Sequence, residues 1–224
     1  MSIAKRIQDE TNLYYQDKGY YFESILDKPE KYVNWKDISK AIDMSEILTI
    51  DLINKNTSQV INIPEKTTVW NGVVKDKEFI KKHYMQGHGI VIKDYHFSKN
   101  KLNELRQTIQ NIFIDVECDT HIYSGIDDAQ SFKVHADKSA NFIFQVYGET
   151  HWKIYKNRLS DLLSVSKLKE NEENINEEEL DIDIDVVLKS GDGIYIPKGA
   201  FHCARPKGNR ISISIPCKNR GKNN

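Results

Sequence analysis

A chain of 224 residues with a formal net charge of -1 has room for one well-cored domain, and it carries no global field to draw it to nucleic acid or an anionic membrane. No apolar run approaches the ~20 residues of a membrane-spanning helix, and residues 1–6 lack the apolar stretch of a secretory signal. Three scattered cysteines, Cys118, Cys203 and Cys217, suit a reducing cytoplasm better than a disulfide framework.

In chain order, residues 1–45 read as mostly helical, with Asn34 capping a helix over 35–42 whose Trp35, Ile38 and Ile42 share a face. Strands are expected over 47–52 and 59–63, around a polar turn at Lys55-Asn56-Thr57. Asp76 caps a helix over 77–84, and 89–92 is a short buried strand. Ser98 is the expected cap of a helix over 99–113, where Leu102, Leu105, Ile109 and Ile112 recur at spacings of three and four. These apolar faces need a partner surface, which is either the core or the second copy of a homodimer.

The second half is strand-rich, with candidates at 120–123, 131–135, 141–147, 151–155, 186–188, 193–196 and 210–215. Turn chemistry separates them at Gly148-Glu149-Thr150, Ser190-Gly191-Asp192, Pro197-Lys198-Gly199 and Pro206-Lys207-Gly208-Asn209. Many short strands with regular turns imply a mainly β fold with flanking helices, an antiparallel sandwich or barrel of the jelly-roll type. The expected organisation is an N-terminal extension over 1–88, a core domain over 89–216 and a basic polar tail over 217–224. Residues 169–185 carry nine acidic side chains and read as a solvated insertion, in which Asp181-Ile182-Asp183-Ile184-Asp185 alternates like an exposed edge strand.

The chemistry lies in two phrases: His135-Ala136-Asp137, and Gly191-Asp192-Gly193-Ile194-Tyr195-Ile196-Pro197-Lys198-Gly199-Ala200-Phe201-His202. Two imidazoles and one carboxylate are the makings of a facial triad, which leaves three positions open on a non-haem Fe(II). Side chains two apart on a strand share a face, so His135 and Asp137 converge, and the Pro197-Lys198-Gly199 bend returns His202 to them. The remaining histidines lack such company. Alternation turns Cys203 away from the metal as a packed thiol, Trp152 and Tyr155 read as core fillers, and Tyr123 is a candidate pocket hydroxyl.

These phrases, with Asn141-Phe142-x-x-Gln145-Val146-x-Gly148-x-x-x-Trp152-x-x-Tyr155 between them, resemble the JmjC and cupin-like hydroxylases over roughly residues 89–216. The ribosomal-protein hydroxylases and the asparaginyl hydroxylase of hypoxia-inducible factor are nearest in style. The resemblance implies a double-stranded β-helix core and Fe(II)-, 2-oxoglutarate- and O2-dependent hydroxylation of an amino-acid side chain in a peptide, a protein or a small amino-acid-like substrate. It also implies that Asn141 hydrogen-bonds the co-substrate carboxylate. Where those relatives usually carry Lys or Arg for the distal carboxylate, this chain has Thr150, and Phe132 stands where Thr is common. Arginine on the returning strand plays the anchoring part in other 2-oxoglutarate oxygenases, which makes Arg210 the candidate cation beside Thr150, with Lys153 and Lys133 as weaker ones. The competing reading is a cupin-type metal- or ligand-binding module, or an isomerase-like metal enzyme. Succinate formed from 2-oxoglutarate separates the two.

Overall fold

The computed structural model describes residues 2–11, 17–68, 72–113, 115–129, 132–160 and 175–219. Its N-terminal part runs α1 (Ile3–Glu10), β1 (Tyr20–Phe22), α2 (Trp35–Asp43), β2 (Ile50–Ile53), β3 (Val60–Ile61), β4 (Glu65–Thr68), β5 (Gly72–Lys75), α3 (Lys77–Met85), β6 (Gly89–Lys93) and α4 (Asn100–Ile112). Then come β7 (Val116–Cys118), β8 (His121–Gly125), β9 (His135–Ala136), β10 (Ala140–Arg158), β11 (Ile182–Leu188), β12 (Gly193–Ile196) and β13 (Ala200–Asn219).

The helix starts follow their caps. Asn34 accepts from the backbone of Lys36 and Asp37, and Asp37 answers the Asn34 backbone, a complete capping box. Asp76 caps α3 through the Glu78 and Phe79 amides. Ser98 does not cap α4: it closes a 3-10 turn over Tyr95–Phe97, and the N-cap is Lys99, whose side chain makes no cap bond. The four apolar positions of α4 are all buried, each worth about 1.5–3 kcal/mol as an upper bound. Residues 1–45 are less helical than their composition suggests, because Tyr20–Phe22 pairs as a strand with β12.

Strand order in the main sheet is β1-β12-β10-β13-β8-β6-β2-β3, with β11 on β10 and both β7 and β9 on β13, while β4 and β5 form a separate hairpin. Thus the N-terminal third contributes three strands to the core sheet. At the other end, Cys217–Asn219 pair with β7 as strand and not as tail, and residues 220–224 lie outside the described residues. Of the acidic insertion, 169–174 also lie outside them, and Ile182–Leu188 is an edge strand on β10.

Two expected turns prove to be bends inside long strands. β10 runs through Gly148 and β13 through Gly208, both at positive φ, and the two strands stay paired on either side with register shifts between Gln145 and Glu149. A Cβ on Gly148 would sit 2.0 Å from the Asn209 carbonyl oxygen, so backbone crosses too closely there for any side chain. The near half of the pair (140–147 with 210–219) joins β12, β8 and β7. The far half (149–158 with 200–207) joins β11 and β9. Folded over in this way, the strands make a jelly roll.

Alternation sorts the near half into two faces. Phe142, Phe144 and Val146 with Ile211, Ile213 and Ile215 pack in one cluster with Ile38, Leu105 and Ile109 of the helices. Ile143 turns the other way, to Trp152, Ile154, Leu188, Ile194 and Ile196. Two pairs of buried polar side chains meet on that inner side: Ser212 donates to Gln145 at 2.9 Å and Ser214 to Asn141 at 3.2 Å.

Candidate metal centre

His135 and His202 are register partners across β9 and β13. The turn before His202 is closed by the Ala200 amide on the Pro197 carbonyl, with Gly199 at φ 73°, and the Gly199 amide then donates to the Asp137 carbonyl at 2.9 Å. Backbone pairing therefore brings the two phrases together before any ligand is considered. Asp192, in the same phrase, has a fold role. Its buried carboxylate accepts from the Ser24 and Lys189 amides and the Tyr21 hydroxyl, stapling the β1 segment to the turn. Burial and this carboxylate push the Tyr21 phenol up to about 12.

One ligand atom from each of His135, Asp137 and His202 lies within 4.8 Å of the others. The His135 Nε2 to Asp137 Oδ1 distance is 3.9 Å, and His202 Nε2 to Asp137 Oδ2 is 3.8 Å. Each imidazole also donates backwards, His135 Nδ1 to the Lys133 carbonyl at 2.7 Å and His202 Nδ1 to the Ala200 carbonyl at 2.8 Å. A carbonyl only accepts, so Nδ1 carries the hydrogen and Nε2 keeps its lone pair for a cation. Burial, and next the neighbouring His135, hold the His202 imidazole well below its ordinary range, in the neutral form a metal requires. Asn141 Nδ2 donates to Asp137 Oδ2, the oxygen nearest His202, at 2.6 Å and so fixes the carboxylate. The donor set and its orientation fit a divalent transition metal of the Fe(II) type.

The three ligands stand between two spaces. The inner cavity is bounded by Tyr123, Phe132, Ile143, Trp152, Arg210 and Ser212, along with Asn141, Ala204, Ser214 and the ligands. An outer depression, rimmed by Thr57, Ser58, Gln59 and Phe132–Val134, shares Tyr123, Phe132, His135 and Asp137 with it. His202 is the deep ligand, 4% exposed, whereas His135 and Asp137 are open at 38% and 40%.

Each sequence candidate can now be placed. His135, Asp137, His202, Asn141, Tyr123 and Arg210 all line the inner cavity. Thr150 does not. It is fully buried between its cross-strand neighbours Leu188 and Pro206, and its hydroxyl has no hydrogen-bond partner among the described residues. Nor does the structure bring Lys153 to the site. Odd spacing from Trp152 and Ile154 turns it outward, opposite Asp185 and Cys203, where its charge acts on Glu177 and Asp185. Lys133 is exposed on the outer rim. Cys203 packs by the Tyr155 hydroxyl, away from the ligands. Burial pushes the Tyr123 phenol up to about 12, so it stays a neutral donor.

Sequence reasoning missed Trp152. It is part of the inner cluster but also walls the cavity, with its ring 6.1 Å from that of His202 at 27° and its Nε1 without a partner among the described residues. The available signal was parity, since Trp152 and Ile154 lie directly opposite Ala204 and His202. The Thr57–Gln59 rim carried no local signal.

A jelly roll that holds two histidines and an aspartate beside an enclosed cavity defines the cupin-like class of metal proteins. The particular family follows from comparison: the JmjC domain matches residues 95–224, more than half of the chain, and the chain belongs to that family. It is 31% identical over 126 residues to the bifunctional lysine-specific demethylase and histidyl-hydroxylase NO66 of Dictyostelium discoideum, covering 55% of this chain and 23% of that protein. To ribosomal oxygenase 1 of Danio rerio it is 33% identical over 84 residues, 37% of this chain and 15% of the relative. Among solved structures it is similar to YcfD, a ribosomal oxygenase from Escherichia coli, with TM-score 0.67 at 14% identity over 97% of this chain and 52% of that one. YcfD in complex with cobalt and 2-oxoglutarate superposes with TM-score 0.65, at the same identity and coverage. The matched stretch spans under a quarter of these curated relatives and about half of the solved chain. No helix among the described residues is long and apolar enough to cross a membrane.

Proposed function

We propose that the chain is a non-haem Fe(II)- and 2-oxoglutarate-dependent oxygenase that hydroxylates an unactivated C–H bond of an amino-acid side chain in a peptide or protein. The observation that carries this reading is the convergence of two imidazole nitrogens and one carboxylate within 4.8 Å, between an enclosed cavity and an open depression. Fe(II), when bound, supplies the activation of O2 at the expense of 2-oxoglutarate, which leaves as succinate and carbon dioxide. His135, Asp137 and His202 hold the ion, and Asn141 keeps the aspartate turned toward it. Phe132, Ile143, Trp152 and Ala204 exclude water from the inner space, which suppresses side reactions there. The outer rim at Thr57–Gln59 and Phe132–Val134 leaves the access that a peptide segment needs. A protein substrate agrees with the hydroxylase and ribosomal-oxygenase names of the similar proteins.

We place the protein in the cytoplasm, where its three free cysteines remain thiols. Light scattering reads the homodimer expectation; Ile38 and Ile42 of α2 and the apolar positions of α4 are buried in the core, while Trp35 stays half-buried.

Purified protein supplied with Fe(II), 2-oxoglutarate and O2 is expected to form succinate, and Asp137→Ala to lose both retained metal and succinate formation. Metal-replete wild type that forms no succinate, or an Asp137→Ala variant that forms it at the wild-type rate, removes this reading and leaves a cupin-type binding module.

A further inference from the structure

Cys118 and Cys217 are register partners where β7 closes on the end of β13, 99 residues apart in the chain. The Cys118 amide donates to Gln110 Oε1 at 2.8 Å, and its carbonyl accepts from Arg106 Nη1 at 3.1 Å. Both backbone groups of Cys118 thus face α4 and not β13, which makes the two cysteines a non-hydrogen-bonded pair. In such a pair the Cα atoms lie about 4.5 Å apart and the side chains come closest, within the span that a disulfide bridges. The two sulfurs stand 3.6 Å apart, and the residues are 1% and 3% exposed. A bond needs them to close by about 1.5 Å, which is a side-chain rotation and not a movement of strands. The third cysteine, Cys203, lies on the far half opposite Lys153, with the Tyr155 hydroxyl at 3.9 Å.

We propose that Cys118 and Cys217 form a peroxide-responsive dithiol site, which oxidation converts into a reversible cross-strand disulfide that locks the end of β13 to β7. The neighbouring Cys217 thiol draws the Cys118 thiol below its ordinary range against burial, with smaller help from the Arg106 guanidinium, while the same contact pushes Cys217 up. Cys118 is therefore the sulfur that ionises first and attacks. Its thiolate takes one oxygen from hydrogen peroxide, breaking the O–O bond, and becomes a sulfenic acid. The hydroxide released takes up the proton that the thiol gave away and leaves as water. Cys217 then displaces the sulfenic hydroxyl, the S–S bond forms, and the Cys217 proton leaves with that hydroxyl as a second water. Two thiols lose two electrons to one peroxide. Fraying admits the oxidant: β7 is only three residues long, and Glu117, Lys218 and Asn219 of the same ladder are exposed. The loop that the bond closes contains His135, Asp137 and His202, so oxidation ties together the part of the chain that carries the ligands. In a reducing compartment the pair rests as two thiols.

The test treats the full chain, loaded with Zn(II) so that the metal does not cycle with peroxide, with hydrogen peroxide. Titration of the denatured protein should then find one thiol in place of three, with the mass lowered by two hydrogens. Peptide mapping should join Cys118 to Cys217 and leave Cys203 free, and dithiothreitol should restore all three thiols. Closing a loop of this length should raise the melting temperature by roughly 5–15 °C. Cys118→Ser, treated in the same way, should keep Cys203 and Cys217 as thiols and show no rise. A bond between two chains, a linkage through Cys203, oxidation to sulfinic acid alone, or three surviving thiols overturns the site. A Cys118–Cys217 bond that leaves the melting temperature unchanged overturns the lock. Should Cys118→Ser fail to fold, the mapping and the melting shift of the wild type decide by themselves.

Discussion

The near and far halves of the β10–β13 pair share two strands but not the same cover. On the near half, Phe142, Phe144, Ile211, Ile213 and Ile215 lie under the helices, all but unexposed. On the far half, the outer face carries a His151–Asp185 pair, an Arg205–Glu177 pair and Lys153, and among the described residues its apolar part is a small cluster of Tyr155, Leu180 and Phe201. His135 and His202 belong to the far half, whereas Asn141, Ser214 and Arg210, which line the same cavity, belong to the near half. The contrast suggests a division of labour: a doubly covered sheet supplies fixed positions, and a thinner sheet lets the ligands open onto the outer depression.

The largest asymmetry is expected in stability. Phe144→Ala removes a fully buried ring from the helix-covered face and should cost about 3–5 kcal/mol. Val187→Ala, on the far half at 44% exposure, should stay within about 0.5 kcal/mol. Urea unfolding of both variants measures the difference, and equal losses would show that the far half is as tightly built as the near one.

A smaller effect is expected where the halves meet. Asn141 leaves the near half to hold Asp137, so Asn141→Ala should weaken metal affinity roughly 10- to 100-fold, the usual consequence of losing a residue that orients a ligand. Titration with Mn(II) reads this directly. Unchanged affinity would mean that the far half positions its own ligands.

What the sequence disclosed follows the range of the interactions involved. Caps are local, so Asn34 and Asp76 were legible, as were the four apolar positions of α4. Ser98 misled because a 3-10 turn claimed it first. Gly148 and Gly208 have the surroundings of hairpin turns, and only pairing between strands some sixty residues apart shows that the chain bends there instead of reversing. Tyr20–Phe22 is a strand because β12, far along the chain, completes it. At the site, the His-x-Asp spacing and the Pro-x-Gly bend before His202 carried the ligand set. Whether Lys153, Thr150 or Arg210 reaches the cavity depended on parity across a bulge and on a close backbone crossing, neither of which is written in neighbouring residues.

The smallest expected effect tests the wet face of the far half. The hydrogen bond from His151 holds the Asp185 carboxyl below its ordinary range, against an opposing push from burial and with smaller help from the nearby positive charges. A carboxyl lowered in the folded state binds protons less readily there than in the unfolded chain. Its contribution to stability is therefore present above the ordinary carboxylate pKa, about 4, and is lost as pH falls through the folded value. Both partners are more than a third exposed, so solvent screening should keep the gain under about 1 kcal/mol. Wild type should accordingly exceed Asp185→Asn in stability at about pH 5, with the gap closing towards about pH 3 and shrinking in high salt. Paired thermal melts across that window measure it. A gap as large as that from Phe144→Ala would show that this edge is part of the load on the fold and not a solvated margin, and the contrast between the two halves would have to be withdrawn.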